Sequence, residues 1–171
     1  MEIKLCLVLL KIWSLTLNSE SILTLRKLLE REVTSYENSL SLNDIGIPIE
    51  SSSLACWYKG TLLAEMEDCL PVPNIKAFTA EQLRPFLLYI IKIKDGQWKS
   101  LIDDCDDEDI VYLVLTTTTD ACYASYCRYS DDEEPGLIYF EADSLANLFA
   151  KVIIGLYLAG YLNFKKNNNE Q

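Results

Sequence analysis

The stretch that decides the fold is IVYLVLTTTTDACYASYCRYSDDEEPGLIYFEADSLANLFAKVIIGLYLAGYL, residues 110–162. Its opening run, residues 110–117, is dense in β-branched and aromatic side chains. Such side chains suit a pleated, half-buried surface, and the run reads as a buried strand. Residues 121–129 read as a second strand, with Thr118, Thr119 and Asp120 as the connection, and residues 137–141 as a third, entered through Pro135 and Gly136. Asp143 or Ser144 then offers a side-chain oxygen to the free amides of a closing helix that runs to about Leu162.

Upstream the pattern is mixed. Residues 21–36 have apolar side chains at helical spacing (Ile22, Leu25, Leu28, Leu29, Val33), with Arg26, Lys27, Glu30 and Arg31 between them, and read as a helix. Residues 39–53 are polar and interrupted by Gly46 and Pro48, which predicts a loop. Residues 54–58 and 62–66 flank Lys59-Gly60-Thr61 and predict a hairpin. Thr79-Ala80-Glu81-Gln82 has the capping-box spacing, in which hydroxyl and amide side chains satisfy free backbone amides at a helix start. The helix it opens is expected to reach about Ile91, with Pro85 tolerated near its first turns, and Asp95-Gly96 is a turn. The expected architecture is α+β, a central antiparallel sheet with flanking helices. No repeat or linker divides the chain, so residues 1–164 read as a single domain and residues 165–171 as a polar tail.

Charge separates this chain from an ordinary acidic protein. Residues 103–143 hold 13 Asp or Glu and one Arg, a balance of −12, whereas the remainder holds 13 acids and 14 bases, a balance of +1. The formal charge of −11 is thus a local feature. A field of this sign repels nucleic acid and speeds encounter with cationic proteins.

Several chemistries lose their residues. There is no histidine, which removes Cys–His and Ser–His–Asp catalysis and histidine metal sites. The six cysteines (Cys6, Cys56, Cys69, Cys105, Cys122, Cys127) form no regular framework and read as reduced thiols of a cytoplasmic protein. Only Cys122 and Cys127 lie close enough to pair as zinc ligands, and a regular strand would point them to opposite faces. The run Asp103-Asp104-Cys105-Asp106-Asp107-Glu108-Asp109 lacks the placed Gly and terminal Glu of an EF-hand loop. Neither a metal nor another cofactor is expected.

Two apolar segments bear on membranes. Residues 5–10 form an apolar run behind Lys4, but Lys11 interrupts it and no small-residue cleavage site follows, so a buried first element is expected rather than a leader. In residues 144–162 the uninterrupted apolar run, 152–162, is eleven residues, short of the roughly 20 that span a bilayer. It reads as a buried helix or one shared at a homodimer contact between Ser144 and Leu162, although Gly155 and Ala159 have small-xxx-small spacing.

The stretch LIYFEADSLANLFAKVII, residues 137–154, resembles the last strand and helix of the SUKH superfamily, whose domains finish with a strand, a small A-x-S capping segment and an apolar helix. Ala142-Asp143-Ser144 followed by Leu145, Leu148 and Phe149 carries the likeness, over about one tenth of the chain. The upstream Leu-Pro helix and Asn-Gly turn of such domains have a looser counterpart in residues 82–88 and Asp95-Gly96. The resemblance implies an α+β binding domain, often an immunity protein that neutralises a toxin.

The expected site follows from charge. Asp103, Asp104, Asp106, Asp107, Glu108 and Asp109 form one acidic cluster and Asp131, Asp132, Glu133 and Glu134 a second. A hairpin of residues 110–117 and 121–129 sets both clusters at its open end. Tyr123 and Tyr126 are the aromatic candidates beside them. The expected partner is a basic protein, a toxin and most concretely a nuclease, with neither nucleic acid nor membrane bound directly. A viral or host-directed regulator using the same surface and a carboxylate metal-dependent enzyme are the alternatives.

Overall fold

The computed structural model describes residues 19–49, 55–64, 75–92, 110–128 and 138–164. Two helices come first, α1 (Ser19–Glu32) and α2 (Tyr36–Asp44). A hairpin follows, β1 (Ala55–Tyr58) and β2 (Thr61–Ala64), then β3 (Ile75–Ala77). A one-turn helix α3 (Ala80–Leu83) continues as a 3₁₀ turn, Arg84–Phe86, into β4 (Ile90–Lys92). The chain closes with β5 (Ile110–Thr117), β6 (Cys122–Arg128), β7 (Ile138–Ala142) and the helix α4 (Leu145–Leu158).

The fold is α+β, and its strands form two antiparallel sheets instead of one central sheet: a three-stranded sheet ordered β2-β1-β3 and a four-stranded sheet ordered β4-β5-β6-β7. The β1–β2 turn is built from Lys59 at φ 48° and Gly60 at φ 73°. Two successive left-handed residues match the twist of a tight hairpin. The β5–β6 turn is closed by Thr118, whose hydroxyl and backbone amide both donate to the Ala121 carbonyl.

Helix α4 lies on the larger sheet and supplies its core. Leu148, Ala150, Val152, Ile153 and Leu156 are fully buried, together with Val111, Ala124 and Tyr126 from the sheet and Leu42 from α2. The apolar character of this segment is therefore used within the chain's own core, and α4 ends at Leu158, four residues earlier than expected. Gly155 has an internal role. A Cβ there would lie 2.9 Å from the Phe140 ring, so its small size lets β7 approach the helix. Among the described residues no helix is long and apolar enough to cross a membrane. The N-terminal residues read as a buried first element lie outside the described residues.

A smaller cluster of Val33, Ala55, Trp57, Leu62 and Ala77 fills the space under the three-stranded sheet. A polar node joins the two cores where α1 gives way to α2. The amide of fully buried Thr34 donates to the Phe78 carbonyl at 2.8 Å, its carbonyl accepts from Trp57 Nε1 at 2.9 Å, and its hydroxyl pairs with that of buried Ser39 at 2.6 Å. The Phe78 amide adds a bond to Thr34 Oγ1. These partners satisfy the polar atoms that the corner takes out of water.

Two expectations are corrected here. Part of the polar stretch read as a loop, residues 39–44, is the end of α2, because Ser35 accepts from the Asn38 amide as N-cap and Leu42 is buried against the main core. The capping box at Thr79 and Gln82 is present, but its helix stops at Leu83 and does not reach Ile91. Pro85 sits in the 3₁₀ turn, lacks an amide to continue the ladder, and releases the chain into β4.

Candidate binding surface

Strand parity assigns the side chains of the larger sheet. Ile91, Val111, Ala124, Tyr126, Ile138 and Ala142 are buried under α4, and Leu113, Cys122 and Phe140 pack against the same cluster. Residues one step out of phase turn the other way. This outer face presents Ile90 and Lys92, then Ile110, Tyr112, Val114 and Thr116, then Tyr123, Ser125 and Cys127, then Tyr139 and Glu141.

Exposed apolar side chains on this face are flanked by Lys92 on one edge strand and Glu141 on the other. Ile90 is 61% exposed, Val114 46% and Tyr139 60%. Register places Tyr112 between Ile90 and Cys127, Val114 beside Ser125, and Ser125 beside Tyr139. Tyr123 and Tyr139 meet diagonally across β6 and β7, with ring centroids 5.8 Å apart and planes tilted by 31°. Desolvation, followed by the charge of Glu141 and then Tyr123, pushes the Tyr139 hydroxyl above its ordinary range.

Tyr123 lies on the outer face and is half-buried. Tyr126 does not. It is fully buried, its hydroxyl donates to the Leu88 carbonyl at 2.6 Å, and burial raises its pKa well above the usual tyrosine value, with Tyr89 adding to the shift. The tyrosine fixes the 3₁₀–β4 connection to the sheet. The two tyrosines differ by three positions, so a regular strand turns them to opposite faces. That signal was present in the sequence.

Asp103, Asp104, Asp106, Asp107, Glu108, Asp109, Asp131, Asp132, Glu133 and Glu134 lie outside the described residues. The strand ends to which they are joined are described. Val111 pairs with Arg128 across β5 and β6, and Thr118–Asp120 close the opposite end of that hairpin. The chain runs directly from Asp109 into Ile110, and reaches Asp131 three residues after Arg128.

Strand alternation also brings together contact candidates that charge and tyrosine spacing alone did not reveal, namely Ile90, Ile110, Val114 and Tyr139. Their signal was the out-of-phase apolar residues along β5 and β7. Asn147 is a structural anchor. Its Oδ1 accepts from the Ser35 amide at 2.7 Å and from Asn38 Nδ2 at 2.9 Å, and its Nδ2 donates to Asp143 Oδ1 at 2.8 Å.

Burial, assisted by Asp143, pushes the Cys122 thiol up, opposite to the shift that activates a cysteine. Cys56 is buried and not disulfide-bonded. Among the described residues no three His, Cys, Asp or Glu side chains group as a metal site. No protein-family model, curated protein or solved structure matches this chain.

Proposed function

We propose that this chain is a non-enzymatic, cytoplasmic binding protein, an immunity protein that neutralises a basic toxin by occluding its surface, with a nuclease as the most concrete target. The observation that carries the reading is the pairing of Val111 with Arg128. Both acidic segments depart from that end of the hairpin. The two segments, which hold ten carboxylates, are joined in sequence to that end. The toxin class follows from complementarity, because an enzyme that binds a polyanion carries a basic cleft that an acidic protein can fill. The strand-cap-helix likeness to SUKH domains supports the same class.

Exposed ion pairs contribute only about 0–1 kcal/mol each, so the carboxylates act chiefly on encounter. The test is affinity capture from the native cells, with the wild-type chain and with a variant carrying Asn or Gln at Asp103, Asp104, Asp106, Asp107, Glu108 and Asp109, followed by mass spectrometry. A basic protein retained by the first and released by salt is expected. Retention of the same protein by both, at any salt, contradicts the proposal.

A further inference from the structure

An open sheet has two edges, and each turns a row of backbone amides and carbonyls toward any strand that meets it. In the larger sheet β7 forms one of them. We propose that Lys151 guards that edge: by occupying the Glu141 carbonyl it keeps β7 from pairing with β7 of a second copy, and its removal opens the edge to a two-fold dimer. This inference is independent of the acidic-surface reading.

Strand parity shows which backbone groups face outward. The Thr118 amide donates to the Ala121 carbonyl at 2.9 Å, so these two residues form a hydrogen-bonded pair. Bonded and non-bonded pairs alternate along an antiparallel ladder. Counting back through the register, Thr116 with Tyr123, Val114 with Ser125, and Tyr112 with Cys127 are bonded pairs. Leu113, one step out of phase, must then turn to β4, and its amide does donate to the Tyr89 carbonyl at 2.9 Å. On β6, Tyr123 and Ser125 thus direct their backbone groups to β5. Their neighbours on β7, Glu141 and Tyr139, direct theirs away from the sheet.

The edge is otherwise suited to pairing. β7 reads Ile-Tyr-Phe-Glu-Ala, without Pro or Gly, and its composition favours strands. Tyr139 is exposed, and among the described residues no strand lies beside it on this side. A two-fold axis at Phe140 would set Tyr139 of each copy opposite Glu141 of the other. Each such pair would exchange both of its N–H···O bonds, and half of those bonds need the Glu141 carbonyl.

Lys151 already holds that carbonyl. It projects from α4 at an exposed position, and its Nζ donates to the Glu141 carbonyl at 2.7 Å. An incoming amide must displace this donor or share the acceptor with it, and covering the ammonium takes a charge out of water. Lysine at an edge is a known means of keeping strands from pairing. Here the charge comes from the helix packed on the sheet and not from the strand itself.

Sedimentation velocity over a concentration series compares the wild type with Lys151→Ala, Lys151→Arg, and Lys151→Ala combined with Tyr139→Pro. Circular dichroism and urea melts check each for retained fold. The wild type is expected to sediment as a monomer. Lys151→Ala is expected to dimerise at about tenfold lower concentration or less, because a dimer then forms without displacing a cap from either copy. Lys151→Arg keeps the donor and the charge and should sediment as the wild type. Proline at 139 removes an outward amide that the sheet does not use and is tolerated on an edge strand, so it should return the alanine variant to monomer. Amide exchange gives a second reading: the Tyr139 and Glu141 amides should exchange rapidly in the wild type and become protected in the Lys151→Ala dimer. An alanine variant that sediments as the wild type at every concentration overturns the proposal. So does a dimer that survives Tyr139→Pro, because the contact then lies elsewhere, and so does a wild-type dimer paired through β7.

Discussion

Replacing Asn147 with alanine tests how the closing helix is tied to the α1–α2 corner. The wild-type side chain accepts from the Ser35 amide at 2.7 Å and from Asn38 Nδ2 at 2.9 Å, in a residue only 7% exposed. Alanine removes the acceptor. A buried amide left unmatched costs about 1–3 kcal/mol, and the half-buried Asn38 amide forfeits about 0.5–1 kcal/mol. Alanine's better helix propensity returns roughly 0.5 kcal/mol, and the bond to exposed Asp143 contributes little. The net loss is about 1–3.5 kcal/mol. With a urea m-value of about 2 kcal/mol per molar, the unfolding midpoint falls by roughly 1 M at unchanged slope. Asn38→Ala alone is expected to cost about 0.5–1.5 kcal/mol. The double variant is expected to cost less than the two added together, because the bond they share is lost once. Equilibrium urea unfolding by tryptophan fluorescence and far-UV circular dichroism reads all four proteins. A midpoint for Asn147→Ala within about 0.5 kcal/mol of wild type, or strict additivity with Asn38→Ala, refutes the anchoring role.

Other expectations follow from the same packing. Tyr126 has its folded pKa raised above the usual value near 10, so the folded state holds the proton longer than the unfolded chain does. Stability is untouched below about pH 10 and falls as pH rises beyond it; Tyr126→Phe should flatten that alkaline loss, at a cost of about 0.5–1.5 kcal/mol near neutrality for the Leu88 hydrogen bond, and an unchanged alkaline unfolding midpoint argues against it. Gly155→Leu should cost about 1–3 kcal/mol by crowding Phe140, and Phe140→Ala should relieve part of that cost in the double variant, with thermal melts as the readout. Gly60→Ala should cost about 1–2 kcal/mol, because φ is +73° there although the space around it is open; a neutral result would mean that the turn relaxes to another type.

The sequence was most readable where one local rule met no competitor. The β5 run 110–117 matches its strand in extent, because β-branched packing and a Thr-closed turn agree on the same register, but it is not the buried strand expected: only Val111 is buried, since α4 covers one face of the sheet. The Thr79–Gln82 capping box likewise marks a helix start, but its length was set elsewhere, by Pro85 and by Tyr126 holding the Leu88 carbonyl. Helix α2 was hidden because its composition is polar; it is stabilised by a cap at Ser35, by Leu42 and by Asn147, a residue more than a hundred positions away. No window of local sequence contains that contact. The three-residue strands β3 and β4 are too short to show a period, so neither the third strand beside the β1–β2 hairpin nor the edge strand of the larger sheet is legible in the sequence. At the surface, charge located the acidic segments, and alternation along β5 and β7 placed the apolar face; Tyr126 was misplaced because aromatic spacing was considered without strand parity.

The most direct measurement of the proposed acidic surface is the association rate of the captured basic partner across a range of ionic strength. Stopped-flow mixing compares the wild-type chain with the variant neutralised at Asp103, Asp104, Asp106, Asp107, Glu108 and Asp109. The wild-type rate is expected to fall steeply with salt, by about tenfold or more between low and physiological ionic strength. The variant should begin near that reduced rate and depend little on salt. A wild-type rate that ignores salt, or a variant that associates as fast as the wild type, contradicts it.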